Sequence, residues 1–344
     1  MAQRAGVVGA SGYAGAELLR LLARHPDLEV VAATAGGHAG ARVGELYPSL
    51  GAAYPDLVLE ALDVRALDGL DVAFLALPHG ESQQLAPDLL GRVAHVVDLG
   101  ADFRLPAADY ERWYGAAHAA PGLLGRFSCG LPELFRARIG TDSVAVPGCY
   151  PTAAALAVAP LLADRLVDAS RVVVDAMSGV SGRGRGLSTA SLFAEANETV
   201  TPYALLTHRH TGEIEHLLGA VHDAPVSVLF TPHLVPMTRG LLATCTAPAA
   251  RPGLTTASLL DRYRAFYADE PFVAVLDEPP TTKATLGSNA AQLTVRYDDR
   301  TGTVLALGAL DNLVKGAAGQ ALQAANLVLG LPEPTGLSTL GIMP

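Results

Sequence analysis

The sequence contains little of what marks secreted or nucleic-acid-binding proteins. Only 3 of its 344 residues are cysteine, and 24 Lys and Arg stand against 34 Asp and Glu, which gives a formal net charge of −10. So few cysteines, in an odd number, exclude a disulfide framework and are typical of a reducing compartment. The acidic balance, without a basic block, argues against nucleic acid or an anionic membrane surface as a partner.

Long apolar runs are also missing. No run approaches the ~18 residues that span a bilayer, and the glycines from Gly9 to Gly15 interrupt the start before the apolar core of a signal peptide develops. Half of the residues are nevertheless apolar. Because single cores stop growing at roughly 250–300 residues, we expect two domains. The prediction is a soluble, cytoplasmic enzyme.

The two halves of the chain differ in pattern. In the first half, strands rich in Val, Leu and Ala, such as Leu28–Thr34 and Val72–Leu77, occur with a helical segment over Ala16–Ala23, which is typical of a buried parallel sheet. The second half has several predicted strands and few helices, which indicates an α+β fold. We predict an α/β Rossmann-type dinucleotide-binding domain over 1–148. A catalytic and oligomerisation domain with a mixed, largely antiparallel sheet would follow over 149–312.

A glycine-rich loop separates the first predicted strand from the first helix. Gly9, Gly12 and Gly15 match G-x-x-G-x-x-G, with Ser11 and Tyr13 between them. Glycines let the backbone turn tightly and approach a pyrophosphate, to which the helix start offers free N–H groups. In this context the motif predicts dinucleotide binding, the alternative being an ordinary turn between strand and helix.

The end of the second predicted strand favours NADP over NAD. NAD sites usually place Asp or Glu there to hold the ribose 2′-hydroxyl. Here the strand ends at Thr34, followed by Gly36, Gly37 and His38, with Arg42 nearby and no carboxylate. A 2′-phosphate would meet no repulsion, so we expect the cofactor-binding residues to include Thr34, His38 and Arg42.

Cys149 is the candidate nucleophile. It lies in the segment 147–152, Pro-Gly-Cys-Tyr-Pro-Thr, between a predicted strand and the start of a helix near Pro151. A helix start favours the thiolate. The alternative is a small buried hydrophobe, which we predict for Cys245 in its apolar strand, and we predict a structural role for Cys129.

The segment Thr207–Ile214 contains candidates for proton transfer. His210 falls near the predicted start of a helix, and Glu213 follows one turn later, where a carboxylate can orient the imidazole and keep it basic. Arg209 could hold an anionic group of the substrate. The ligand count is too low for a metal site, and we expect none. A surface histidine cluster is the alternative.

Two further segments are suited to anions. One is Arg104 in the run Asp98–Leu105, and the other is the loop Ser178–Arg185. The loop offers backbone N–H groups, hydroxyl groups and guanidinium groups, which suit phosphate or carboxylate. A solvated hairpin loop is the alternative.

These motifs together resemble the N-acetyl-γ-glutamyl-phosphate reductases of arginine biosynthesis. The resemblance also rests on residues 76–80, Ala-Leu-Pro-His-Gly, and on residues 311–320, and it extends from residue 6 to about 326. The segments 147–152 and 208–210 are specific to this reductase. The glycine loop and residues 315–320 are shared with aspartate-semialdehyde dehydrogenase, which usually has asparagine beside its cysteine where this chain has Tyr150.

The resemblance implies a reduction in two steps. The Cys149 thiolate would attack the acyl carbon of N-acetyl-γ-glutamyl phosphate and expel phosphate, and NADPH would reduce the thioester to N-acetyl-glutamate 5-semialdehyde. His210, oriented by Glu213, would transfer the protons. The residues that hold substrate anions would be His208, Arg209, Arg104, Ser178, Ser181 and Arg185.

The resemblance implies additional cofactor-binding positions and an assembly. The cofactor-binding positions would be Pro78, His79, Gly182, Asn312 and Gly316. Residues 313–344 would form a C-terminal helix and tail that pack back on the NADP-binding domain. The chain would form a homo-oligomer, either a dimer or a tetramer.

Two other functions stay open. The same chemistry could act on another acyl phosphate, either carrier-linked aminoadipyl phosphate or aspartyl phosphate, although a carrier protein would favour a basic docking surface and the net charge is −10. A non-catalytic NADP-binding sensor is the other alternative, and such a protein could dispense with Cys149 and His210.

We predict that the KM for NADPH is lower than the KM for NADH. The physical reason is that no carboxylate follows the second strand to repel the 2′-phosphate. Steady-state rates with each cofactor measure both constants, and a lower KM for NADH would contradict the assignment.

Overall fold

The computed structural model describes residues 2–140 and 142–343. The strands are β1 (Gln3–Val8), β2 (Leu28–Thr34), β3 (Val72–Leu75), β4 (His95–Asp98), β5 (Phe127–Cys129), β6 (Ser143–Ala145), β7 (Val172–Gly179), β8 (Thr201–Pro202), β9 (Val228–Val235), β10 (Leu241–Pro248), β11 (Val273–Val275), β12 (Ala291–Asp298) and β13 (Thr303–Leu310). The α-helices are α1 (Tyr13–Leu22), α2 (Val43–Leu46), α3 (Ser82–Leu89), α4 (Ala107–Tyr114), α5 (Pro132–Phe135), α6 (Cys149–Ala163), α7 (Phe193–Ala196), α8 (His210–His222), α9 (Thr256–Phe266) and α10 (Gly319–Val328). A π-helical turn, Val314–Ala318, precedes α10.

The chain divides into two compact units. Unit 1 comprises Met1–Pro147 and Ala317–Leu337, and unit 2 comprises Gly148–Gly316 and Ser338–Pro344. Residues 313–316 and the residues from 338 onward fall in unit 2, apart from the rest of the predicted C-terminal segment 313–344. The physical reason is backbone pairing within unit 2: Ser338 accepts the N–H of Asn289, and Ile342 donates to Leu286, each at 2.8 Å.

Unit 1 is built on a parallel sheet. Among the described residues its strand order is β2-β1-β3-β4-β6-β5, and all of these pairs are parallel. β1 lies between β2 and β3, with Val8 opposite Thr34 on one side and Leu75 on the other. The loops that follow β1, β2 and β3 therefore start at the same edge, where the strand order reverses and ligands bind in folds of this kind.

Unit 2 is built on a mixed sheet with the order β11-β12-β13-β10-β7-β9-β8 among the described residues. The β7–β9 and β11–β12 pairs are parallel, and the other four pairs are antiparallel. Side chains alternate along β10 between buried and partly exposed, which is the pattern of a sheet with one covered face. The helix α6, which packs on β10, β12 and β13, covers the buried face.

The helix α6 begins at Cys149, before the predicted start near Pro151. Gly148 is its N-cap in an extended conformation (φ −69°, ψ 165°). Pro151 is tolerated within the first turn because the N–H that it lacks would have no partner inside the helix. The cysteine is consequently the first helical residue.

The C-terminal helix predicted after residue 312 does not begin there as an α-helix. The π-helical turn comes first, and α10 follows. Three fully buried amides, Gln320, Gln323 and Asn326, lie on α10. Asn326 donates to the carbonyl oxygens of Glu333 and Thr335 at 2.9 Å each, which ties the following segment to the helix within unit 1.

None of the helices in residues 2–140 and 142–343 is both long and apolar enough to cross a membrane.

Candidate active site

The loop after β1 and the helix start leave no room for a side chain at Gly9 or Gly15. Gly9 has a φ of +88°, and a Cβ there would lie 2.4 Å from the carbonyl oxygen of Ala76; a Cβ at Gly15 would lie 2.4 Å from the oxygen of Gly9. Gly12 is the N-cap of α1, whose first turn contains no acidic residue. The closely packed backbone and the uncapped helix start fit the pyrophosphate of a dinucleotide.

The segment after β2 is tied to this loop. The carbonyl oxygen of Thr34 accepts the N–H groups of Gly9 and the next residue, at 3.1 and 2.8 Å. His38 and Arg42 are exposed, and the Arg42 guanidinium lies 4.0 Å from the carboxylate of Asp56. Both side chains are accessible in the segment between β2 and α2.

The remaining predicted cofactor residues of unit 1 lie on the loop after β1, at the first residue of α1, and on the loop after β3. Ser11 accepts the hydroxyl of Tyr47 on its carbonyl oxygen at 2.8 Å, and Tyr13 is 36% exposed. The ring of His79 lies 5.9 Å from that of Tyr114. Pro78 precedes His79 at the same edge of the sheet.

A buried carboxylate holds the loop after β3. Asp102 is fully buried and accepts the backbone N–H groups of Gly80 at 2.7 Å and Gln83 at 3.0 Å. Bonds from a carboxylate to N–H groups are among the stronger hydrogen bonds in proteins. They fix the residues that immediately follow Pro78 and His79.

Arg104 lies on the loop after β4. Its Nη2 donates to the carbonyl oxygen of Leu99 at 2.7 Å. The nearby Asp98 accepts Ser82 Oγ at 2.7 Å and the N–H of Gly100 at 2.8 Å. Burial raises the pKa of Asp98 to about 6, against these hydrogen bonds and the charge of Arg104, which lower it. Arg104 belongs to unit 1, whereas the other predicted substrate residues belong to unit 2.

In unit 2, the backbone of Gly148 holds Cys149 at the start of α6. The carbonyl oxygen of Gly148 accepts both the N–H and the Oγ–H of Thr152 at 2.9 Å. Its N–H donates at 2.7 Å to the carboxylate of Glu213, which is buried. The first turn of the 15-residue helix contains no acidic residue. A helix start of this kind favours the thiolate form of a cysteine.

The two histidines lie against the residue that follows the cysteine. The ring centroids of His208 and His210 are 4.8 Å apart, and they lie 5.8 and 5.9 Å from that of Tyr150. Tyr203 and Phe230 pack on His208 with centroid distances of 5.4 and 5.3 Å. His208 Nδ1 accepts the backbone N–H of His210 at 3.1 Å, so its other nitrogen, Nε2, carries the proton of the neutral ring.

Burial shifts the pKa values of His208 and of two tyrosines that pack on it. It lowers the pKa of His208 to about 4, and the charge of Arg209 acts in the same direction. Burial also raises the pKa of Tyr203 to about 12 and that of Tyr150 still further. His208 is therefore neutral at pH 7. It could hold a substrate anion only through an N–H group and not through a charge.

The loop after β7 is joined to the end of β13. Asn312 Nδ2 donates to Ser181 Oγ at 3.0 Å, and a Cβ at Gly182 would lie 2.9 Å from Ser178 Oγ. Ser178, Ser181 and Asn312 are buried, whereas Gly182 is exposed and Arg185 is partly buried. Asn312 and Gly182, predicted to bind cofactor, thus lie with the predicted substrate-binding serines.

Two tyrosines of this cluster were not predicted from the sequence. Tyr150, which is buried, and Tyr203 both contact His208, and the hydroxyl of Tyr203 donates to that of Tyr150 at 3.3 Å. The position of Tyr150 next to Cys149 was the available signal. Cys245 is buried as predicted, and burial raises the pKa of its thiol to about 12.

Two families match the chain, one in each half. Residues 4–141 match the family described as "Semialdehyde dehydrogenase, NAD binding domain", and residues 149–312 match "Semialdehyde dehydrogenase, dimerisation domain". The chain is 50% identical over 347 residues to the N-acetyl-gamma-glutamyl-phosphate reductase of Desulforudis audaxviator, with 99% of each chain covered. It is also 50% identical over 355 residues to that of Streptomyces coelicolor, with 100% of each covered.

Solved structures of lower identity share the fold. Aspartate semialdehyde dehydrogenase II from Vibrio cholerae complexed with ASA has a TM-score of 0.70 and 16% identity, covering 96% of this chain and 99% of that one. Aspartate semialdehyde dehydrogenase with NADP from Candida albicans has a TM-score of 0.68, with the same identity and coverage. The predicted fold class is confirmed: a Rossmann-like nucleotide-binding domain with a parallel sheet and a dimerisation domain with a mixed sheet.

We predict that His208→Asn makes the free energy of unfolding less sensitive to acid than it is in the wild type. Asn keeps an acceptor for the N–H of His210 but does not titrate. The pKa of His208 is about 4 in the folded chain and about 6.5 in the unfolded chain. The contribution of the neutral ring to the free energy of unfolding is therefore fully present above pH 6.5. It is lost as the pH falls toward 4, by on the order of 3 kcal/mol.

Urea unfolding of the wild type and the variant at pH 7 and at pH 4.5 measures this contribution. We expect the wild type to lose more of its free energy of unfolding than the variant over that interval. Equal losses would contradict a buried, neutral His208.

Proposed function

The chain belongs to the N-acetyl-γ-glutamyl-phosphate reductase family, and on that premise we propose its reaction. It reduces N-acetyl-γ-glutamyl phosphate to N-acetyl-glutamate 5-semialdehyde and releases phosphate, with NADPH as the reductant, in arginine biosynthesis. The observation that carries the proposal is the position of Cys149 at the start of α6, with the His210 ring packed against Tyr150, the next residue along.

In the first step, the Cys149 thiolate attacks the acyl carbon. The bond between carbon and sulfur forms, the bond between carbon and the phosphate oxygen breaks, and phosphate leaves with the electron pair. The start of α6 stabilises the thiolate, and Glu213 supports that start by holding the N–H of Gly148. A thioester is a better hydride acceptor than a carboxylate, which is the chemical advantage of the covalent step.

NADPH, when bound, would supply the hydride that reduces the thioester. His210 then protonates the oxygen of the resulting tetrahedral adduct. It removes that proton again as the bond between carbon and sulfur breaks, which returns Cys149 as the thiolate and releases the aldehyde. Proton transfer by a positioned side chain typically contributes 10²–10⁴-fold to a rate. His208 is better suited to positioning than to this role, because it is neutral and its Nδ1 is occupied by the N–H of His210.

The residues of the glycine loop would hold the cofactor pyrophosphate. Gly9, Ser11, Gly12, Tyr13 and Gly15 surround the start of α1. Other cofactor contacts would come from Thr34, His38, Arg42, Pro78, His79, Gly182 and Asn312. NADP selectivity is supported by the exposed, carboxylate-free segment from Gly36 to Arg42.

The substrate is an anion at both ends, and the proposed residues match it. Arg104, Arg185 and Arg209 would supply positive charge for its carboxylate and phosphate. Ser178, Ser181 and the Nε2–H of His208 would supply neutral hydrogen bonds.

We predict that Cys149→Ser abolishes turnover and leaves NADPH binding near that of the wild type, because a serine hydroxyl is a much poorer nucleophile at neutral pH. Oxidation of NADPH followed at 340 nm, with phosphate release measured in parallel, tests the substitution. The matched control is Cys129→Ser, which changes the partly buried cysteine of unit 1 and leaves activity near that of the wild type. Residual turnover above about a tenth of the wild-type rate in Cys149→Ser would remove the covalent mechanism.

We also propose that the chain forms a homo-oligomer, a dimer or a tetramer, through the outward face of the sheet in unit 2. Along β7 and β9, inward side chains are mostly buried and outward ones are more exposed. Met177 and Leu229 on that face are 42% and 51% exposed, on adjacent strands. Apolar side chains on an exposed sheet face are typical of a surface that a second copy covers.

We predict that Met177→Asp combined with Leu229→Asp converts the oligomer to monomers or smaller assemblies, because charges on a closed apolar interface lose their hydration. Light scattering after size-exclusion chromatography measures the mass. Leu62→Asp, which places the same charge on an exposed leucine of unit 1, is the control and leaves the mass unchanged. A wild-type chain with the mass of one copy would overturn the proposal.

A further inference from the structure

The backbone of the π-helical turn lies directly against the cysteine. A Cβ at Gly316 would lie 2.6 Å from the Cβ and 3.1 Å from the Cα of Cys149. Carbon atoms in ordinary contact are about 3.5–4.0 Å apart. Only glycine at 316 therefore lets both segments keep these positions. Both residues belong to unit 2.

The turn that carries Gly316 is anchored by a buried carboxylate. The N–H of Gly316 donates to the carbonyl oxygen of Asp311 at 2.9 Å, the five-residue bond of a π-helix. Asp311 Oδ1 accepts the N–H groups of Leu313 and Val314 at 2.8 and 3.1 Å. Its Oδ2 accepts the N–H of Gly287 at 2.8 Å. The start of the turn is thus fixed independently of the cysteine.

The side chains next to Asp311 and Gly316 add further anchors. Asn312 Oδ1 accepts the N–H of Gly240 at 2.8 Å. Lys315 is fully buried, with its ammonium group 5.7 Å from the centroid of the Phe272 ring. With these groups buried, the turn cannot shift without breaking polar contacts away from water.

We propose that Gly316 is a positioning residue for the Cys149 thiol. The absence of a side chain lets the backbone of the turn pack directly against the Cα and Cβ of the cysteine, and this contact limits where the thiol can lie. The helix start, held by Glu213 and Thr152, constrains the same residue through its own backbone. The inference rests on the proposed function of Cys149 as the nucleophile.

The role differs from the cofactor-binding role that the family resemblance implied for Gly316, and the two make different predictions. A methyl group at 316 must displace either the anchored turn or the cysteine, and either displacement changes the position of the thiol relative to the turn. A displacement of about 1 Å at a reacting group can cost about 100-fold in rate. A wall for the cofactor would instead affect the affinity for NADPH.

Gly316→Ala tests the proposal against Gly308→Ala. Gly308, on β13, also faces α6: a Cβ there would lie 3.0 Å from the carbonyl oxygen of Ala153 and 3.4 Å from the Cβ of Ala157. Both variants add one methyl group against the same helix, but only the first adds it at Cys149. Three quantities are measured: the alkylation rate of Cys149 by iodoacetamide, read on its own peptide by mass spectrometry; kcat and KM; and the dissociation constant of NADPH.

We expect Gly316→Ala to lower the alkylation rate and kcat by at least about tenfold, with KM for the acyl phosphate and the NADPH dissociation constant within about twofold of the wild type. Gly308→Ala should stay within about twofold of the wild type in the alkylation rate. If Gly316→Ala does not fold, Asp311→Asn weakens the anchor without adding atoms, and it should lower the alkylation rate with NADPH binding retained.

Normal alkylation with weakened NADPH binding in Gly316→Ala would overturn the proposal in favour of a cofactor wall. Equal losses of alkylation in both glycine variants would also overturn it, because they would indicate general crowding of α6. The alkylation rate of Cys149 can be measured without any turnover of the substrate. A wild-type chain without reductase activity would therefore remove the proposed function while the position of Cys149 could still be read.

Discussion

The carboxylate of Glu213, 2% exposed, accepts the N–H of Gly148 at 2.7 Å, and the arrangement of unit 2 around Cys149 depends on this bond. A carboxylate so deeply buried is costly unless its oxygens are hydrogen-bonded. The N–H groups at the start of a helix are suitable partners, because they carry partial positive charge and have no acceptor within the helix. The bond joins α8, on which Glu213 lies, to the first turn of α6. The cysteine and the histidine cluster are thereby brought together from segments about 60 residues apart in sequence.

The same arrangement explains the electrostatics of the cluster. α6 begins at Cys149 and α8 begins at His210, so two helix starts lie near each other. Partial positive charge at a helix start favours a thiolate and disfavours an imidazolium. His208, partly buried among aromatic rings with its pKa lowered to about 4, is neutral in this environment. Burial thus makes His208 an uncharged acceptor, and its Nδ1 holds the backbone N–H of His210.

Glycine serves the same physical purpose in both units, namely close approach of one backbone to another. Gly9 and Gly15 allow it at the start of α1, and Gly316 allows it beside Cys149. The sequence pattern identified the first two because they belong to a short motif between a strand and a helix. The sequence could not show why residue 316 is a glycine. Its neighbour Cys149 lies 167 positions earlier, and only the packed structure brings the two residues into contact.

Local pattern alone determined the strand Leu28–Thr34, the presence of a helix after the glycine loop, the mixed character of the second sheet and the choice of Cys149 and His210 as candidate residues. These follow from periodicity, from glycine in tight turns and from chemistry within a few residues. Only the tertiary structure decided that α6 starts at Cys149, that a π-helical turn precedes α10, that residues from 338 onward return to unit 2, and that Tyr150 and Tyr203 contact His208. Each of these depends on partners distant in sequence: a buried carboxylate, a backbone acceptor or an aromatic ring. Their free energies are comparable to local preferences and override them only once the chain is packed.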